Sequence, residues 1–95
     1  MKIKIYQIDM DRDLHRVKFQ GYEEMQKYQG SADIDESIYD RVFMGDVDCA
    51  GMEDVYRLFN TEGHRLHRGH SLSVSDIVEV EDGESADFYF CDSIG

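Results

Sequence analysis

Proline is absent from this chain, and no internal repeat or low-complexity stretch interrupts it. Nothing marks a linker, so its 95 residues form one domain. A domain of that size buries only about 60–65% of the surface its unfolded chain exposes. Cysteine is scarce as well: Cys49 and Cys91 stand alone, too few for a disulfide framework and with no secretory signal before them. The expectation is a cytoplasmic protein with reduced thiols. Positive charge is the third deficit, because 10 Lys and Arg face 21 Asp and Glu and leave a net charge of −11. Nucleic-acid backbones are bound through Lys and Arg. A surface this negative repels nucleic acid and anionic membranes at long range. No apolar run approaches the roughly 20 residues that a membrane helix needs.

What is present reads as a small α+β domain. Ile3, Ile5, Tyr6 and Ile8 are too dense for a helical stripe and predict a strand over residues 2–9. A polar turn follows. His15, Val17 and Phe19 then alternate with Arg16 and Lys18, which predicts a second strand and a hairpin. Tyr22, Met25 and Tyr28 recur at a spacing of three, with Glu23 and Glu24 in the first turn, and predict a helix over residues 21–29. Residues 38–47 read as a third strand. Met52, Val55, Tyr56 and Phe59 fall at i, i+3, i+4 and i+7, a core-facing helical stripe. After a loop over residues 61–75, residues 76–80 and 87–91 read as two strands around a turn. The resulting order predicts about five mainly antiparallel strands with two helices packed on one side. The predicted core is Val17, Phe19, Met25, Val42, Phe43, Val55, Tyr56, Phe59, Val78, Phe88 and Phe90.

No constellation identifies a reaction. Asp9, Asp11 and Asp13 match the first ligands of a calcium loop, but Leu14 stands where its Gly is needed and Gln20 where its bidentate Glu belongs. His64, His67 and His70 have metal-ligand chemistry, yet Gly69 interrupts the run and Arg65 and Arg68 repel a cation. Ser71, Ser73 and Ser75 have no nucleophile elbow around them; serines and an aspartate entering a strand more often bond the local backbone. Asp92 beside Cys91 would raise that thiol's pKa, whereas Cys49 precedes a helix start and is the better candidate for a reactive thiol. A rival hydrolase would have to combine Asp76, Asp92 and a histidine. The reading from the residues is no catalytic group, no metal and no cofactor.

The acids cluster instead. One group holds Asp33, Asp35, Glu36, Asp40, Asp46, Asp48, Glu53 and Asp54, opposed only by Arg41. A second holds Glu79, Glu81, Asp82 and Glu84, followed by Asp87 and Asp92. Such runs are most often solvated faces; as a functional feature they suit a partner protein with a basic surface. Neither direct nucleic-acid binding nor membrane binding is expected, and a monomer or weak dimer is.

Several segments resemble the YodL-like domain family: Ile5-Tyr6-Gln7-Ile8-Asp9, Ile38-Tyr39-Asp40-Arg41-Val42-Phe43 with Gly45-Asp46-Val47-Asp48-Cys49, and Phe88-Tyr89-Phe90-Cys91-Asp92-Ser93-Ile94-Gly95. The segment from Ser71 to Val80 resembles it too, and its Ser71-Leu72-Ser73-Val74-Ser75-Asp76 block is the most specific part. The resemblance implies a setting in mobile elements of Firmicutes, such as conjugative transposons and phages, beside antirestriction modules. It also implies a tie to the actin-like cytoskeleton. It carries over no catalytic residue. His64 and His67 fall in its variable stretch, and it implies a further strand beyond Gly95. Joined to the charge, it leads to the expectation of a non-enzymatic, DNA-mimic-like counter-defence module. The alternative is a module that binds a cytoskeletal or replication protein through its sheet edge.

Overall fold

The computed structural model describes residues 1–30, 34–64 and 66–92. Strand β1 (Lys2–Ile8) alternates exposed and buried positions from Lys2 through Ile5, as a half-buried strand should. Helix α1 spans Tyr22–Gln29, β2 spans Tyr39–Asp46 and α2 spans Met52–Arg57. The last helix runs on into a π-helical turn at Leu58–Glu62. Strands β3 (Ile77–Asp82) and β4 (Ser85–Phe90) form a hairpin. Its two-residue turn needs a positive φ, which Gly83 supplies at 64°.

The sheet has four strands in the order β2-β1-β3-β4, with every pairing antiparallel. The α+β class and the antiparallel sheet match the sequence reading; the strand count is four rather than five. The missing strand is the one predicted over residues 15–19. There the Asp13 carboxylate accepts bonds from the backbone N–H of Val17 and of Lys18, both at 2.9 Å. Arg16 and Phe19 also take positive φ, at 54° and 68°. A side chain that bonds its own backbone competes with a ladder, and here it turns an alternating pattern into a loop.

Alternation divides the sheet into two faces. Ile3, Ile5, Phe43 and Val78 share the first, where Val55 and Phe59 of the second helical segment pack on them. Phe43 and Phe59 meet edge-on, with ring centroids 4.9 Å apart. Tyr39 and Phe90 lie at positions of the opposite parity. They close a second cluster with Ile8, Val17, Ile38 and Met25 of α1. Each helix therefore anchors its own apolar cluster. A bulge between Ile5 and Tyr6 leaves Val42 opposite no partner and shifts the far half of β2 by one residue.

Of the predicted core, Val17, Met25, Phe43, Val55, Phe59 and Val78 are buried, while Val42, Tyr56 and Phe90 are half-buried. Phe19 and Phe88 are not core residues, since they are 51% and 65% exposed. Phe19 is turned outward by its loop. Phe88 lies on the edge strand β4, in the stretch of exposed residues that ends before Phe90, where Tyr22 of α1 packs. Among the described residues no helix is long and apolar enough to cross a membrane.

Candidate functional site

The first acidic group is dispersed by the fold. Asp33 lies outside the described residues. Asp35 and Asp46 flank opposite ends of β2, whose eight residues span roughly 23 Å at the usual strand rise. Several of these acids are already engaged. Asp35 accepts from the Ser37 N–H at 3.1 Å and hydroxyl at 2.6 Å, which hold its pKa down. Asp40 pairs with Arg12. Asp46 takes the N-terminal ammonium at 2.9 Å, and that contact lowers its pKa. Asp54 accepts from the Ala50 N–H at 2.9 Å and faces Arg57 at 3.2 Å. Glu36, Asp48 and Glu53 are exposed without an ion-pair partner among the described residues.

The second group divides in two. Glu79 accepts from the Tyr6 hydroxyl at 2.7 Å, and Glu81 faces Lys4 at 2.9 Å. The phenol's pKa is pushed up to about 12, first by burial and then by that hydrogen bond. Asp82, Glu84 and Asp87 remain exposed on the hairpin, with no cation beside them among the described residues. On the same hairpin Phe88 and Tyr89 are 65% and 41% exposed. Phe88 forms one wall of a groove of about 550 Å³ whose apolar lining includes Tyr6, Ile34, Tyr39 and Ile77.

The histidine loop is pinned from below by Gln7, a buried amide at an inward position of β1. Its Oε1 accepts from the His70 N–H at 3.1 Å. Its Nε2 donates to the His70 carbonyl at 2.9 Å and to Asp76 Oδ2 at 3.0 Å. Asp76 is fully buried and also accepts from the Ser73 N–H at 2.7 Å. Burial outweighs these two bonds and raises its carboxyl pKa. The loop passes so close that a Cβ on Gly69 would stand 1.9 Å from Gln7 Oε1. Carbonyls only accept, so His67 Nε2 donates to the His70 carbonyl and His70 Nδ1 to the Ser71 carbonyl, both at 2.6 Å.

Those bonds decide the fate of the candidate chemistry. The imidazoles of His64 and His67 pack among Phe43 and Phe59, mostly edge-on, and His70 lies against Phe19. No group of three His, Cys, Asp or Glu among the described residues is placed to hold a metal. Asp76 fastens the loop, while Asp92 Oδ1 accepts from the Tyr22 N–H at the start of α1, so the two carboxylates serve different segments. Ser75 is buried at a φ of 80°, its hydroxyl accepting from the Phe19 N–H at 2.9 Å and its carbonyl from the Tyr39 hydroxyl at 2.7 Å. Asp9 and Asp13 bond backbone N–H groups of their own turns.

The YodL-like domain family matches this chain over residues 2–95. The chain belongs to that family. No curated protein and no solved structure matches it. In this YodL-like domain the block from Ser71 to Val80 is the end of the pinned loop together with the start of β3, and its polar side chains fix backbone. Its thiols are both free. Burial pushes Cys91 up to about 11. Cys49 is raised too, by burial and then by Asp54 and Asp48, so the helix start does not activate it. Gln7 and Gly69 were not legible as key residues. The one signal was a polar side chain continuing the inward parity of Ile3 and Ile5.

Proposed function

We propose that this YodL-like domain is a non-enzymatic protein-binding module that engages a basic surface on a partner protein, in the cytoplasm and in the setting of a mobile element. The observation that carries the reading is the β3–β4 hairpin. There Asp82, Glu84 and Asp87 stand exposed beside the exposed rings of Phe88 and Tyr89. Carboxylates without cations speed encounter with a basic partner and make it salt-sensitive. Desolvated aromatic rings supply the contact area on which affinity depends. The three acids on the hairpin thus replace the longer acidic run from Asp33 to Asp54 as the favoured surface, because Asp40, Asp46 and Asp54 in that run already hold cations.

The second reading is mimicry of a nucleic-acid backbone by that longer run, as a counter-defence device. It keeps the support of Glu36, Asp48 and Glu53, which are exposed. Pull-down from host lysate at low and high salt separates the two. One variant carries Asp82→Lys, Glu84→Lys and Asp87→Lys; the other carries Glu36→Lys, Asp48→Lys and Glu53→Lys. Both are checked for fold by circular dichroism. The hairpin reading expects salt-sensitive capture that only the first variant loses. Loss in the second variant alone would favour mimicry, and capture unchanged in both would refute the acidic-surface proposal.

A further inference from the structure

We infer that β4 is a strand-addition edge that receives an extended segment of a basic protein in which apolar residues alternate with Lys or Arg. The inference rests on the protein-binding reading and specifies its contact.

Hydrogen-bond parity comes first. Beyond β4 the Cys91 N–H donates to the Asp76 carbonyl and the Ser75 N–H to the Cys91 carbonyl, both at 2.8 Å. The backbone of Cys91 therefore faces inward, toward the β3 side. In an antiparallel ladder every second residue does the same, so Ser85, Asp87 and Tyr89 face β3. The N–H and C=O groups of Ala86, Phe88 and Phe90 point out of the sheet. No backbone partner meets them among the described residues.

An open edge is normally blunted by a bulge, a proline, a lysine or a covering segment. Strand β4 has none of the first three: its register with β3 is unbroken and its sequence is Ser-Ala-Asp-Phe-Tyr-Phe. Its first five residues are exposed. Among the described residues the edge is open and long enough to pair.

The side chains specify the occupant. An added strand continues the pleat, so its residues alternate between the two faces. On one face they meet the row Ala86, Phe88 and Phe90, which suits apolar side chains next to it, with Glu79 and Glu81 one strand further in and Glu36 and Arg41 across the groove that Phe88 shares with Tyr6 and Ile77. On the other they meet Asp87, with Asp82 and Glu84 at the turn, which suits Lys or Arg. A second copy of this chain does not fit, because each copy carries −11 and β4 holds no Lys or Arg to answer those acids.

The test uses the full chain and a displayed library of random short peptides. Retained peptides are sequenced, and amide hydrogen exchange is read on the protein with and without a synthetic copy of the strongest binder. The expected result is enrichment of basic and apolar residues at alternate positions, with exchange slowed at the amides of Ala86, Phe88 and Phe90. Ala86→Pro removes one outward donor without touching the β3 ladder. It should weaken that peptide by about fivefold to tenfold, the worth of one net hydrogen bond. Basic peptides that bind without alternation, or without protecting those amides, overturn strand addition and leave the protein-binding reading standing. Retention of no basic peptide of any order overturns both.

Discussion

Adding a single methyl group at Gly69 should destabilise this domain by about 2–4 kcal/mol. Gly69 is not held by a left-handed φ; the requirement is space. An alanine Cβ would stand 1.9 Å from Gln7 Oε1, 2.9 Å from Gln7 Cδ and 3.2 Å from the Val42 Cβ. The amide cannot step aside without surrendering its bonds to the His70 N–H, the His70 carbonyl and Asp76 Oδ2. Each such bond is worth about 1 kcal/mol net, and a buried polar group left unpaired costs about 1–3 kcal/mol more. Three bonds strained or broken, with partial relaxation, give the stated range. Against a total stability of roughly 5–14 kcal/mol for a chain of this length, the variant should stay folded but melt roughly 10 °C or more lower. Urea denaturation of wild type, Gly69→Ala, Gln7→Ala and the double variant closes the cycle. Once Gln7 is alanine the offending oxygen is gone and only the tight approach to the Val42 Cβ remains, so Gly69→Ala should then cost about 1 kcal/mol or less. An equal cost of Gly69→Ala in both backgrounds would refute the argument that Gln7 is what the glycine makes room for.

Two further outcomes follow from the same structure. Phe59→Ala, which empties a buried position between Phe43 and the helix, should cost about 3–5 kcal/mol by urea denaturation; a cost below about 1 kcal/mol would contradict its burial. Asp76→Asn bears on pH. The carboxyl pKa of Asp76 is raised by folding, so its stabilising contribution is full below the unfolded pKa of about 4 and is lost as pH rises through the folded value. The asparagine has no such dependence. The stability of the variant relative to wild type should therefore rise between about pH 3.5 and pH 7, and a difference independent of pH would contradict the burial argument. Contributions of the lowered Asp35, Asp46 and Glu81 carboxyls cancel in that comparison.

Periodicity made much of the fold legible. The stripe of Met52, Val55, Tyr56 and Phe59 gave α2, and the run from Ile3 to Ile8 gave β1. The misreadings share a physical cause. At residues 15–19 the alternation was real, but Asp13 bonded the backbone locally and forced a turn, which no hydrophobic pattern records. Phe88 was placed in the core because it alternates with Phe90. Yet burial depends on what covers a strand; α1 reaches Phe90 on the edge strand β4 and leaves Phe88 exposed. The acids were legible as residues and illegible as a surface. Asp40 is taken by Arg12, and Asp46 by the chain's own ammonium group 45 residues away in sequence, and neither pairing is visible until the chain folds. The Gln7–Gly69 contact was hidden for the same reason, since the two residues meet only when the loop crosses β1.

The most direct test of the binding account is an affinity measurement on the main captured partner, made at roughly 0.05 M and 0.5 M salt with wild type and with the variant carrying Asp82→Lys, Glu84→Lys and Asp87→Lys. The account predicts that wild-type affinity falls steeply between the two salt concentrations, because the Debye length beyond which exposed charges are screened shrinks from about 14 Å to about 4 Å. It also predicts that the variant binds weakly at both. A wild-type affinity indifferent to salt, or a folded variant that binds as wild type does, would contradict it.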